Sequence, residues 1–129
     1  MIDLYPTKCN LCGGKVLYVS NASIYGRQYG SGYCYCCTQC RAYVGTHKPR
    51  PKEALGILSS AEMRQRKIMC HSVFDLMWND KKSRCMAYKK LAEQMGIPVS
   101  SCHFGHFDLK QLDEAYEIIK KWEQEENHD

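Results

Sequence analysis

Two Cys-x-x-Cys pairs carry the most specific chemistry in this chain, Cys9-Asn10-Leu11-Cys12 and Cys37-Thr38-Gln39-Cys40. Two residues between cysteines let both thiolates point at one ion, and the intervening backbone N–H groups face the sulfurs. Gly13 and Gly14 follow the first pair and permit the turn out of it. Four thiolates make a closed tetrahedral site, the structural kind of zinc centre. All-sulfur tetrahedral coordination suits zinc, with an iron–sulfur centre as the main competitor. The candidate metal ligands are Cys9, Cys12, Cys37 and Cys40, and the cofactor is zinc. The second pair has alternatives. Cys34-x-x-Cys37 has the same spacing, although polar Thr38-Gln39 suits a metal knuckle better than Tyr35-Cys36. His47, downstream of Cys40, stands as a replacement ligand.

The remaining chemistry-bearing residues are less specific. His71 and Asp75 fall on one face of a helix, the spacing of a catalytic pair and equally of a surface ion pair. His103 and His106, with Cys102 beside them, suggest a second metal site but show no fourth ligand. Cys34, Cys36, Cys70 and Cys85 read as small packed side chains. No Gly-rich phosphate loop, nucleophile elbow or His-Glu-x-x-His occurs, so no enzyme class is indicated. A metal-dependent nuclease using His47 and His71 is the remote alternative.

These residues need elements to hold them. Lys15–Val19 and Ala42–Val44 read as strands, separated by a Gly- and Tyr-rich turn segment over residues 24–33. So small a β unit needs a staple. Residues 47–58 begin with His47-Lys48-Pro49-Arg50-Pro51-Lys52, read as an exposed basic linker because its prolines forbid helix. Ser59-x-x-Glu62 has capping-box spacing and opens a helix reaching to Trp78. A second helix starts near Ser83 and stops at Gly96 and Pro98. A third follows the Asp108-x-x-Gln111 box, with Leu112, Ala115, Tyr116, Ile119 and Trp122 as its stripe. The expected fold class is α+β: a small zinc-ribbon-like β unit (1–46), the linker (47–58), a three-helix segment (59–122) and an acidic tail (123–129), packed as a single domain over 1–129.

The chain's 129 residues suit one modest core. Hydrophobic residues at 44% and charged residues at 25% exclude wholesale disorder. There is no apolar run of transmembrane length, so no membrane partner is expected. Nine cysteines, an odd count, with no secretory leader favour metal ligation over a disulfide framework and a cytoplasmic setting. The net charge of +4 is uneven, because residues 1–107 are basic and residues 108–129 acidic. A basic body meets phosphate or an acidic protein surface with equal ease.

The runs Cys9-x-x-Cys12-Gly13-Gly14-Lys15-Val16, Ile24-Tyr25-Gly26-x-x-Tyr29-Gly30 and Cys37-x-x-Cys40-x-Ala42-Tyr43-Val44-Gly45-x-His47 are similar to a zinc-finger-containing domain family of unknown function, common in phages and prophages. The similarity continues through His71-x-x-Phe74-Asp75-x-x-Trp78 and Arg84-x-x-Ala87-Tyr88-x-x-Leu91-Ala92, spanning about residues 9–107. It implies zinc on the four cysteines and no established activity. Cys34 and Cys36 depart from the family's pattern. Small phage proteins of this kind resemble host-defence inhibitors, including anti-CRISPR proteins that bind the type II CRISPR nuclease. The expected function is therefore non-enzymatic: binding a macromolecular partner, a host protein in the host cytoplasm, with Tyr25, Tyr29, Tyr33 and Tyr35 as anchors. The alternative is a nucleic-acid binder using Lys48, Arg50, Lys52, Arg64, Arg66, Lys67, Lys81, Lys82, Arg84, Lys89 and Lys90.

Overall fold

Val-, Tyr- and Cys-rich alternation between glycine turns builds a three-stranded antiparallel sheet, ordered β1-β2-β3. The strands are β1 (Val16–Ser20), β2 (Tyr33–Cys37) and β3 (Tyr43–Gly45). The computed structural model describes residues 2–27 and 30–126, the side chains of Tyr25 and Glu126 excepted. β1 sets Val16 opposite Cys37 and Tyr18 opposite Tyr35, and β2 sets Tyr35 opposite Val44. Period-two alternation therefore places Val16, Tyr18, Tyr33, Tyr35, Cys37 and Val44 on one face. Leu17, Val19, Cys34 and Cys36 take the other. A short helix α1 (Ala22–Tyr25), overlapping the start of the Gly- and Tyr-rich run expected as turn, follows β1 and ends on Gly26 with φ 81°.

The chain divides into two compact units, Met1–Glu62 and Met63–Asp129. The first has its core in Cys9, Val16, Tyr35, Cys37, Ala42, Val44, Ala54 and Leu58. Residues 47–58 are not a free linker. Lys48, Arg50 and Lys52 are exposed, as expected, but the segment folds back. Ala54 bridges to Thr46, Ser59 bridges to Tyr43, and Ala54 and Leu58 are buried. The physical reason is that Ala54, Leu58 and neighbouring apolar residues cover a sheet too small to bury itself.

The second unit holds three helices among the described residues: α2 (Ala61–Phe74, starting in the first unit's last residues), α3 (Lys81–Met95) and α4 (Leu109–Glu126). α2 ends short of Trp78. A 3-10 turn over Asp75–Met77 follows it, and Trp78 is extended (φ −147°, ψ 156°). The chain must leave helix there because Asp80 caps α3: the Ser83 N–H donates to Asp80 Oδ1 at 2.7 Å, and the Asp80 N–H donates to Ser83 Oγ at 3.1 Å. α3 thus starts two residues ahead of Ser83 and stops at Gly96, with φ 71°, as the Gly-x-Pro signal indicated. The Asp108–Gln111 box forms as read, with bonds of 2.8 and 3.1 Å. Phe74, Leu91, Phe104, Phe107, Leu112 and Ile119 are this unit's buried centre. No helix among the described residues is long and apolar enough to cross a membrane.

Candidate metal centre

The first Cys-x-x-Cys pair sits in a loop before β1, the second at the end of β2. The two loops are built alike. In the first, the Cys9 N–H donates to the Gly14 carbonyl at 2.8 Å; in the second, the Cys37 N–H donates to the Ala42 carbonyl at 2.8 Å. Each turns through a left-handed residue directly after its second cysteine, Gly13 (φ 76°) and Arg41 (φ 67°). Arg41 is the one non-glycine residue with positive φ among those described. A side chain there costs about 1–2 kcal/mol against glycine's freedom.

The loops bring four sulfurs together. Sγ atoms of Cys9, Cys12, Cys37 and Cys40 all lie within 4.8 Å of one another. Cys9 and Cys40 are 3.6 Å apart, and Cys12 and Cys37 are 3.4 Å apart. A zinc–sulfur bond of about 2.3 Å in a tetrahedron requires sulfur separations of roughly 3.7–3.8 Å. The donor set and its spacing therefore fit a tetrahedral thiolate-binding ion. Backbone N–H groups point at the sulfurs: Leu11 to Cys9 at 3.3 Å, Gly14 to Cys12 at 3.4 Å, and Gln39 and Cys40 to Cys37 at 3.3 and 3.5 Å. These donors favour thiolate over thiol. The Cys40 N–H above all, with that of Gln39, holds the Cys37 thiol down at about 6 although burial opposes it. At Cys40 the Ala42 N–H also pulls down, but burial and the neighbouring sulfurs outweigh it and push the thiol up to about 12. Four sulfurs this close cannot all ionise unless a cation shares the site.

Gly14 is required by proximity. A Cβ there would stand 2.8 Å from Gln39 Oε1 and 3.0 Å from Cys37 Sγ. Asn10, between the ligands, ties the first loop to the returning segment: its Nδ2 donates to the Leu58 carbonyl at 3.1 Å, and its Oδ1 accepts from the Leu58 N–H at 2.9 Å. Nothing in the sequence pattern singled Asn10 out, because its partner lies 48 residues away.

The alternatives are placed elsewhere. Cys34 and Cys37 are three apart on a strand, so their side chains leave opposite faces of the sheet. Cys34 is buried, and burial, with Cys36 adding, pushes its thiol up to about 11. His47 pairs its backbone with Glu53 and is not one of the clustered donors. Among the described residues the four-cysteine group is the one with three or more close potential ligands. His103 and His106 have ring centres 4.8 Å apart without a third donor beside them, and Cys102 is buried with its thiol pushed up to about 11 by burial. His71 Nδ1 lies 4.0 Å from Asp75 Oδ1, both half-exposed, and the same carboxylate accepts from Trp78 Nε1 at 3.2 Å.

Of the expected aromatic anchors, Tyr33 is exposed, whereas Tyr35 is buried and donates its hydroxyl to the Lys52 carbonyl at 2.6 Å. Tyr29 and the Tyr25 side chain lie outside the described residues. The basic residues of the second unit are partly engaged within it. Arg66 pairs with Asp113, Arg84 lies over Trp78 and Tyr88, and Lys90 lies over Trp122.

A small antiparallel sheet with four clustered cysteines on two turned loops, followed by helices, defines a zinc-finger type of protein. The family model for a zinc-finger-containing domain matches residues 5–122, and the chain belongs to that family. No curated protein and no solved structure matches it.

Proposed function

We propose that this protein is a zinc-ordered, non-enzymatic binding protein that acts through a macromolecular partner. The four-sulfur cluster carries the reading. A site with four protein donors has no open position for water or substrate, so its ion orders the fold and does no chemistry. Cys9, Cys12, Cys37 and Cys40 would hold zinc, which would contribute folding free energy to the first unit. The work is then done by surfaces. The likeness to phage-borne zinc-finger proteins puts a host protein first among partners, a type II CRISPR nuclease held by an anti-CRISPR inhibitor. A second reading, nucleic-acid binding, is favoured by the exposed basic residues Lys48, Arg50 and Lys52 beside the tyrosine face.

The test is affinity capture from host lysate with the zinc-loaded chain and with Cys9→Ser. One zinc per chain and a partner recovered by the wild type but not by Cys9→Ser are expected. A nuclease activity of the purified protein, or absence of any macromolecule that depends on the metal, would overturn the reading.

A further inference from the structure

The tyrosine face of the sheet forms an array that the metal centre does not use. Tyr18 and Tyr33 stack with ring centres 5.1 Å apart and planes 11° apart, and Tyr18 lies 5.0 Å from Tyr35. Tyr33 is 40% exposed and Tyr18 38% exposed. The array holds the basic loop beside it. The Tyr18 hydroxyl donates to the Pro51 carbonyl and the Tyr35 hydroxyl to the Lys52 carbonyl, so Lys48 and Lys52 stand exposed on a loop pinned to the rings. Arg50 on the same loop is engaged by Glu53 at 3.1 Å. Tyr33 also lines a cleft of about 470 Å³ with Asn21, Ser31, Thr46 and Leu55. The Ser31 and Thr46 hydroxyls meet at that cleft and bond to one another and to the Tyr33 backbone, which fixes the ring's place at its rim.

We propose that this face binds single-stranded nucleic acid, with a base stacked on Tyr33 at the cleft and phosphates on Lys48 and Lys52. The inference rests on the partner-binding reading, takes its second, nucleic-acid form, and gives that form a strand class and a surface. Two observations favour a nucleic acid over a protein here. The part-exposed Tyr18 and Tyr33 rings are stacked and nearly parallel, so a base extends an existing stack; aromatic platforms of this kind take bases regardless of sequence. Exposed cationic side chains stand on the loop whose carbonyls the ring hydroxyls hold, where a backbone running past would bring its phosphates. Duplexes do not suit the site, since their bases are already stacked on one another.

The zinc-loaded full chain is titrated into fluorescein-labelled oligo-dT, oligo-U and duplex DNA, with binding read by anisotropy across a salt series. Both single strands should bind in preference to the duplex. Tyr33→Ala should weaken binding by about 5- to 100-fold, the loss of one stacked base, while Tyr33→Phe keeps it. Lys48→Ala and Lys52→Ala should each flatten the salt dependence, by about 0.7 in the log–log slope per phosphate lost. Zinc content and circular dichroism confirm that each variant is folded. If folded wild type ignores single strands, or Tyr33→Ala binds them equally well, the inference fails. A captured host protein that is lost with Tyr33→Ala while oligonucleotides are ignored overturns the nucleic acid but leaves the partner-binding reading standing. If the folded wild type captures no macromolecule at all, both fall.

Discussion

Cys34 and Cys37 show how one strand decides between cysteines that spacing alone treats as equal. The pleat sends their side chains to opposite faces, and only Cys37 faces the loop that carries Cys9 and Cys12. Cys34→Ala is expected to retain one zinc per chain, whereas Cys37→Ala loses it, as read by metal analysis of purified protein. Arg41 makes a second residue-scale case. Its φ of 67° places a long side chain where its counterpart in the first loop is Gly13. Arg41→Gly relieves about 1–2 kcal/mol of backbone strain. It returns about 0.5–1 kcal/mol through greater unfolded-state freedom. The zinc-loaded variant should melt at the wild-type temperature or slightly above it. Arg41→Val, β-branched at positive φ, should melt lower.

At the scale of elements, short polar side chains set where helices begin. Asp80 and Ser83 close a reciprocal box at the start of α3, and this box ends the preceding turn at Trp78. The Asp80 carboxyl is held below its ordinary value of 3.8, chiefly by the Ser83 N–H and then by the Ser83 hydroxyl. A carboxyl whose folded-state value is depressed stabilises the fold above its unfolded value and loses that contribution as pH falls through the folded one. Asp80→Ala should therefore lower the melting temperature of the helical signal at neutral pH. The gap from wild type should close as the pH is taken below about 3.8. α4 is fixed differently, by burial of its stripe. Leu112, fully buried, accepts the Cys70 thiol on its carbonyl at 3.3 Å. Leu112→Ala is expected to destabilise the second unit by about 2–5 kcal/mol in denaturant titration.

For the whole molecule, the two units depend on different sources of stability. The first has a three-stranded sheet whose core includes two of the clustered cysteines, Cys9 and Cys37. The second has an aromatic and aliphatic core of its own with no part in the cluster. Chelation of the metal is expected to unfold the first unit and spare the second. Limited proteolysis after chelator treatment should cut within residues 2–58 and leave the helices over 63–126 protected, with most of the helical circular dichroism retained. Acid should have the same selective effect, since protons compete with the metal for thiolates and affinity falls with pH.

The clustering of the four cysteines, the end of the second helix, the start of the third and the α+β class were readable in the sequence because each rests on local chemistry. Cys-x-x-Cys spacing, capping pairs three residues apart and Gly-x-Pro stops act within a few residues of chain. The tertiary structure alone decided what depends on distant partners: Asn10 on the Leu58 backbone, Tyr18 and Tyr35 on the loop at Pro51 and Lys52, and the return of residues 54–58 onto the sheet. It also separated the Cys34 side from the Cys37 side. A residue's neighbours across a sheet follow from register, and register is set when strands pair, not by the residues on either side of it.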